Sequence, residues 1–66
     1  MGGQGFQFRK RWKVITIIST QIPGIYRFSI MEGRVYVYIA YVDEKFFHKF
    51  LNKNQGRLTR IVDFNI

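Results

Sequence analysis

At 66 residues, 47% hydrophobic and 18% aromatic, the chain has material for one compact domain and too little for two. The lack of cysteine excludes disulfide staples and thiolate metal sites, so a domain that buries only about 60% of its unfolded surface needs a dense core or a partner. Eleven Lys and Arg against four Asp and Glu leave a formal charge of +7, which calls for an acidic partner or surface.

In chain order, the glycine- and glutamine-rich start predicts a flexible N-terminal arm over residues 1–8, ahead of a single domain over 9–66. It opens as an N-myristoylation site does, but Phe6 stands where Ser or Thr belongs. Trp12 to Ser19 (WKVITIIS) is β-branched and apolar on both alternating faces, which predicts a central strand covered on two sides or pressed against a partner. Its apolar run, Val14 to Ile18, is broken by Thr16 and falls far short of the roughly 18 residues of a membrane span, and a basic start followed by so short a run does not read as a secretory signal either. The expectation is a soluble protein of a reducing compartment with no transmembrane segment.

Pro23-Gly24 carries type II turn chemistry, because proline presets φ at the first corner and glycine accepts the positive φ of the second. Ile25–Ile30 and Arg34–Val42 read as a hairpin around Gly33. Strict alternation in the second strand puts Val35, Val37 and Ile39 on an aliphatic face and Tyr36 and Tyr38 on the other. The period then changes to 3.6: Asp43 serves as N-cap, Phe46, Phe47, Phe50 and Leu51 share a helix face, and Lys45, His48, Lys49, Asn52 and Lys53 lie opposite. Gly56 suits the helix C′ position. These elements predict a small α+β domain: a sheet of three to four mainly antiparallel strands (12–19, 25–30, 34–42, 57–64) with one amphipathic helix (43–54) packed on one face.

Catalysis is not expected. One histidine and four carboxylates offer few acid-base groups. His48 lies among lysines with no second metal ligand three or four residues away, and Asp43, Glu44 and Glu32 are accounted for by the helix start and the turn. Ser19 and Ser29 have no base-acid pair in sequence to make either a nucleophile, and no glycine pattern matches a phosphate or dinucleotide loop. No metal and no covalently bound cofactor is expected.

Binding is better supported. Arg9, Lys10, Arg11 and Lys13 surround Trp12, and residues 1–31 carry five cations and no acid against six cations and four acids in 32–66. Tyr36 and Tyr38 beside Arg34 could stack on bases, as sheet aromatics do in RNA-recognition modules, and Gly33–Tyr38 echoes the RNP1 pattern without its second glycine. Tyrosines serve protein interfaces equally well. Arg57 and Arg60 in the last strand complete the candidate partner-binding set, which is open at this point to an acidic protein or to nucleic acid.

Over residues 11–64 the order of a strand (Arg11–Ile18), Tyr26, the strand Val37-Tyr38-Ile39-Ala40-Tyr41, a helix, and then Gly56-Arg57-Leu58-Thr59-Arg60-Ile61-Val62 resembles the CpcD-like domain of small phycobilisome linker polypeptides. Ala40 stands where that family has proline, and Gln55 where it has the first of two glycines. The resemblance implies a non-catalytic linker seated in an acidic phycobiliprotein trimer or hexamer, fixing its stacking and tuning bilins carried by the partner subunits. It also implies a place at the plastid or cyanobacterial thylakoid surface, on the stromal or cytoplasmic side. The alternative is a small cytoplasmic protein that binds nucleic acid or the ribosome through its basic arm and tyrosine-bearing sheet face.

Overall fold

The computed structural model describes residues 3–61. Along the chain they form β1 (Gly5–Lys10), β2 (Lys13–Ser19), β3 (Ile25–Glu32), β4 (Val35–Asp43), α1 (Glu44–Lys53) and β5 (Thr59–Arg60). The strands make one antiparallel sheet in the order β4-β3-β2-β1-β5, and the helix packs on one face. The α+β class expected from the sequence is thus the observed one, with five strands rather than three or four.

The additional strand is β1. Glycine content suggested an arm over 1–8, yet from Gly5 onward the chain pairs with β2, because Phe6 and Phe8 alternate with polar residues and lie opposite Ile17 and Ile15. Gln4 extends the pairing, with the Ser19 amide donating to its carbonyl at 2.8 Å and its own amide donating to Ser19 Oγ at 3.0 Å. Trp12, expected to begin a strand, instead sits with Arg11 in the two-residue turn between Lys10 and Lys13. Of the last strand expected over 57–64, Thr59–Arg60 pairs with β1; residues 62–66 lie outside the described region, as do Met1 and Gly2.

The turn chemistry is local and behaves as expected. The Ile25 amide donates to the Ile22 carbonyl at 3.1 Å across Pro23-Gly24, with Gly24 at φ +81, as a type II turn requires. Gly33 takes φ +62 at the first corner of the β3–β4 hairpin. Asp43 caps α1, its Oδ1 accepting from the Phe46 amide at 2.9 Å. The helix C-cap is Asn54, which donates from both its backbone amide and its side chain to the Phe50 carbonyl; Gly56, at φ +88, follows two residues later.

The register sorts the sheet into two faces. Phe6, Phe8, Ile15, Ile17, Tyr26, Phe28 and Val42 face the helix and meet Phe47, Phe50 and Leu51. Phe47 stacks on Tyr26 with ring centroids 3.9 Å apart, while Phe50 sits edge-on to Phe28 at 5.8 Å and tilted against Phe8 at 6.0 Å. Val14, Thr16, Ile18, Arg27, Ser29, Met31, Ile39 and Tyr41 lie on the opposite face, which no element of the described chain covers. β2 is therefore the middle strand, as its composition suggested, but the helix covers only one of its two faces.

One expectation about faces is overturned. The β3–β4 register slips between Ile30, opposite Tyr38, and Met31, opposite Tyr36, so Val37 is the extra residue of a β-bulge. Ile30 and Met31 are neighbours and point to opposite faces, and their partners must do the same. Tyr38 is thus on the helix side, edge-on to Phe28 at 6.0 Å, and Tyr36 is on the open side beneath the Arg27 guanidinium at 5.8 Å.

Candidate functional site

Antiparallel pairing brings the β1–β2 turn and the β3–β4 turn to the same end of the sheet, since Lys10 pairs with Lys13, Lys13 with Glu32 and Glu32 with Val35. That end carries Arg9, Lys10, Arg11 and Lys13 from the first hairpin and Arg34 from the second. Helix α1 starts at the far end of β4 and runs back, so Lys49 and Lys53, followed by Arg57, arrive beside Lys10. Eight of the chain's eleven Lys and Arg residues therefore gather at one end. Among the described residues Glu32 is the one acid near them, and it pairs with Lys13 at 3.7 Å. Asp43 and Glu44 begin the helix at the opposite end. The molecule is 31 Å along its longest axis, several times the Debye length of about 8 Å at physiological salt, so an approaching partner meets the basic end without cancellation from the acidic one.

Between the helix and this end of the sheet opens a cleft of about 370 Å³. Phe8, Ile15, Phe28, Ile30, Phe46 and Phe50 make its apolar floor, and Lys10, Lys49, Lys53 and Arg57 stand around it. Arg57 lies over the Phe8 ring at 5.5 Å, within cation–π range, and Lys53 in the last helical turn complements the helix dipole. In the β1–β2 turn Trp12 is 59% exposed, with the Arg11 guanidinium 5.9 Å from its ring. Arg11 itself holds φ +58, a left-handed conformation that side-chain-bearing residues rarely adopt and one often stored at functional positions.

Arg9, Lys10, Arg11, Trp12, Lys13, Arg34 and Arg57 converge on the basic end. Tyr36 and Tyr38 begin at that end but are divided between the two faces by the bulge. Arg60, paired with Phe6 in β5, lies toward the other end. Sequence reasoning missed Lys49 and Lys53 by assigning them to the solvent side of the helix; their i, i+4 spacing, with Arg57 one further turn along, was the available signal. Arg27 spans the open face, and its Nε is buried with no hydrogen-bond partner among the described residues.

His48 is exposed on α1 with Nε2 3.9 Å from Glu44. Burial, and secondarily the Glu44 carboxylate, raises the Tyr26 hydroxyl above its ordinary range. Among the described residues no three His, Asp or Glu side chains gather as a metal site would require, and no helix is long and apolar enough to cross a membrane. Comparison with protein-family models, curated proteins and solved structures found no match.

Proposed function

We infer that the chain is a non-catalytic interaction subunit whose basic end docks on an acidic protein assembly, with an apolar side chain of the partner entering the cleft beneath Lys10, Lys49, Lys53 and Arg57. The observation that carries this reading is the apolar floor ringed by Lys10, Lys49, Lys53 and Arg57, at the end of the sheet where Arg9, Arg11, Lys13 and Arg34 also gather. Clustered charge raises the rate of encounter and orients the approach, while buried apolar contact supplies the affinity that survives salt. Trp12, rigid, large and exposed at the hairpin tip, is the natural anchor on this side of the interface.

The resemblance to the CpcD-like domain gives the reading a concrete form: a small linker inside a phycobiliprotein trimer or hexamer at a thylakoid surface. There it would hold no cofactor of its own and would change the packing and field around bilins of its partners. A domain of this size would gain, inside a ring of acidic subunits, the burial it lacks alone. Nucleic acid is the second reading, favoured by Trp12 beside Arg11 as a stacking platform. It is weakened by the bulge, which leaves no face carrying both Tyr36 and Tyr38.

Salt separates the two. Trp12 emission is followed while the chain is titrated with purified phycobiliprotein hexamers or with single-stranded RNA, from low salt to strong phosphate. The linker reading expects hexamer binding that persists or tightens in phosphate. RNA binding whose logarithm falls linearly with log salt, without hexamer binding, would replace it.

A further inference from the structure

The sheet has two unlike edges. On one side β5 and the Ile61 amide, which donates to the Gly5 carbonyl at 2.8 Å, cover the start of β1. On the other, β4 presents nine residues with no neighbour among the described residues. Soluble proteins blunt such edges with lysines, prolines or covering loops, yet residues 35–42 (VYVYIAYV) contain no charge and no proline. Six of the large apolar side chains that the structure leaves exposed, Val35 to Ile39 and Tyr41, belong to this strand. In a chain of charge +7, β4 is the flank where a second positive body can approach most closely.

We propose that β4 pairs antiparallel with β4 of a second copy, joining two five-stranded sheets into one continuous ten-stranded sheet. The sequence of the strand is self-complementary in that arrangement. A two-fold axis through the sheet at Ile39, with Val37 remaining the extra residue on each strand, keeps opposed side chains on the same face. It sets Tyr38 against Ala40, Tyr36 against Tyr41, Val35 against Val42 and Arg34 against Asp43 of the other copy. A large ring faces a small residue, rings face rings, and the one cation beside the strand faces the acid that closes it, each relation occurring twice by symmetry. Antiparallel pairing also sends the two basic ends to opposite extremes of the dimer, whereas parallel pairing would set them side by side. The dimer presents the two basic ends in opposite directions and engages only Arg34 of each.

The experiment is sedimentation equilibrium of the full chain from micromolar to millimolar concentration, with circular dichroism to confirm folding. A reversible dimer is expected, weakened at least tenfold in Val37→Lys, which puts a charge on the edge. Arg34→Glu, which opposes like charges twice, is expected to weaken the dimer about tenfold, and adding Asp43→Lys to it should recover most of the loss. Because Asp43 also caps the helix, Arg34→Glu with Asp43→Asn, which removes the opposed charge and keeps a capping side chain, should likewise recover part of the loss. A monomer throughout the concentration range overturns the proposal, including the case in which the edge takes an extended strand from another protein. So does a dimer indifferent to both Val37→Lys and Arg34→Glu.

Discussion

Phe47 is the side chain on which the packing of helix against sheet most depends. It is 2% exposed, lies face to face with Tyr26 at an interplanar angle of 4°, and touches Phe6 at a centroid distance of 6.2 Å. Phe47→Ala removes a fully buried ring and leaves a cavity between two elements that cannot close around it, which costs about 3–5 kcal/mol, with the lost stacking adding up to about 1. A domain of this length has a total stability of roughly 3–10 kcal/mol, so the variant should be largely unfolded or close to it. Phe47→Leu keeps most of the volume and should cost about 1–1.5 kcal/mol. Phe46, on the same helix but 39% exposed, is the comparison: Phe46→Ala should cost distinctly less than Phe47→Ala. The assay is urea denaturation followed by far-ultraviolet circular dichroism, since Trp12 is too exposed for its fluorescence to report on the core. If Phe47→Ala lost less than about 1 kcal/mol, or less than Phe46→Ala, the helix would not be seated on this face as described.

Two further outcomes follow from local structure. Arg11→Gly relieves the left-handed strain at the hairpin tip and should stabilise the fold by about 1 kcal/mol while weakening partner binding; a loss of stability would mean that the turn is not strained as its φ implies. Burial raises the Tyr26 pKa above the ordinary 10.0, so its contribution is fully present below pH 10 and is lost as pH rises through the folded value. Tyr26→Phe keeps the stack on Phe47 and should move alkaline unfolding to higher pH; an unchanged alkaline limb would refute that role.

What could be read from sequence was what local chemistry decides. Pro23-Gly24, Gly33 and the Asp43 cap each carry their own conformational reason, and the helix announces itself in the spacing of Phe46, Phe47, Phe50 and Leu51. β1 was hidden because Gly2, Gly3 and Gly5 outweighed the alternation of Phe6 and Phe8, and because its turn is made by Arg11 and Trp12, neither of which is a turn-forming residue. The bulge at Val37 is set by the register of β4 against β3, a relation between distant residues, so alternation alone put Tyr36 and Tyr38 on one face. The basic cluster around Trp12 was legible as a run of neighbours. The i, i+4 spacing of Lys49 and Lys53 places them on one helix face, but their meeting with Lys10 and Arg57 depends on the helix returning along the sheet, a relation between distant residues.

The proposed binding runs through one end of the molecule and not through net charge. Two charge-reversed pairs separate these: Lys10→Glu with Lys53→Glu at the cleft, and Lys45→Glu with Arg60→Glu at the far end, variants of equal net charge on exposed side chains. Their affinities for phycobiliprotein hexamers, measured at the same ionic strength beside the parent chain, decide the matter. Loss of binding in the first pair with near-parental affinity in the second is the predicted result. Equal weakening in both, or no binding by the parent chain, would contradict the docking site described.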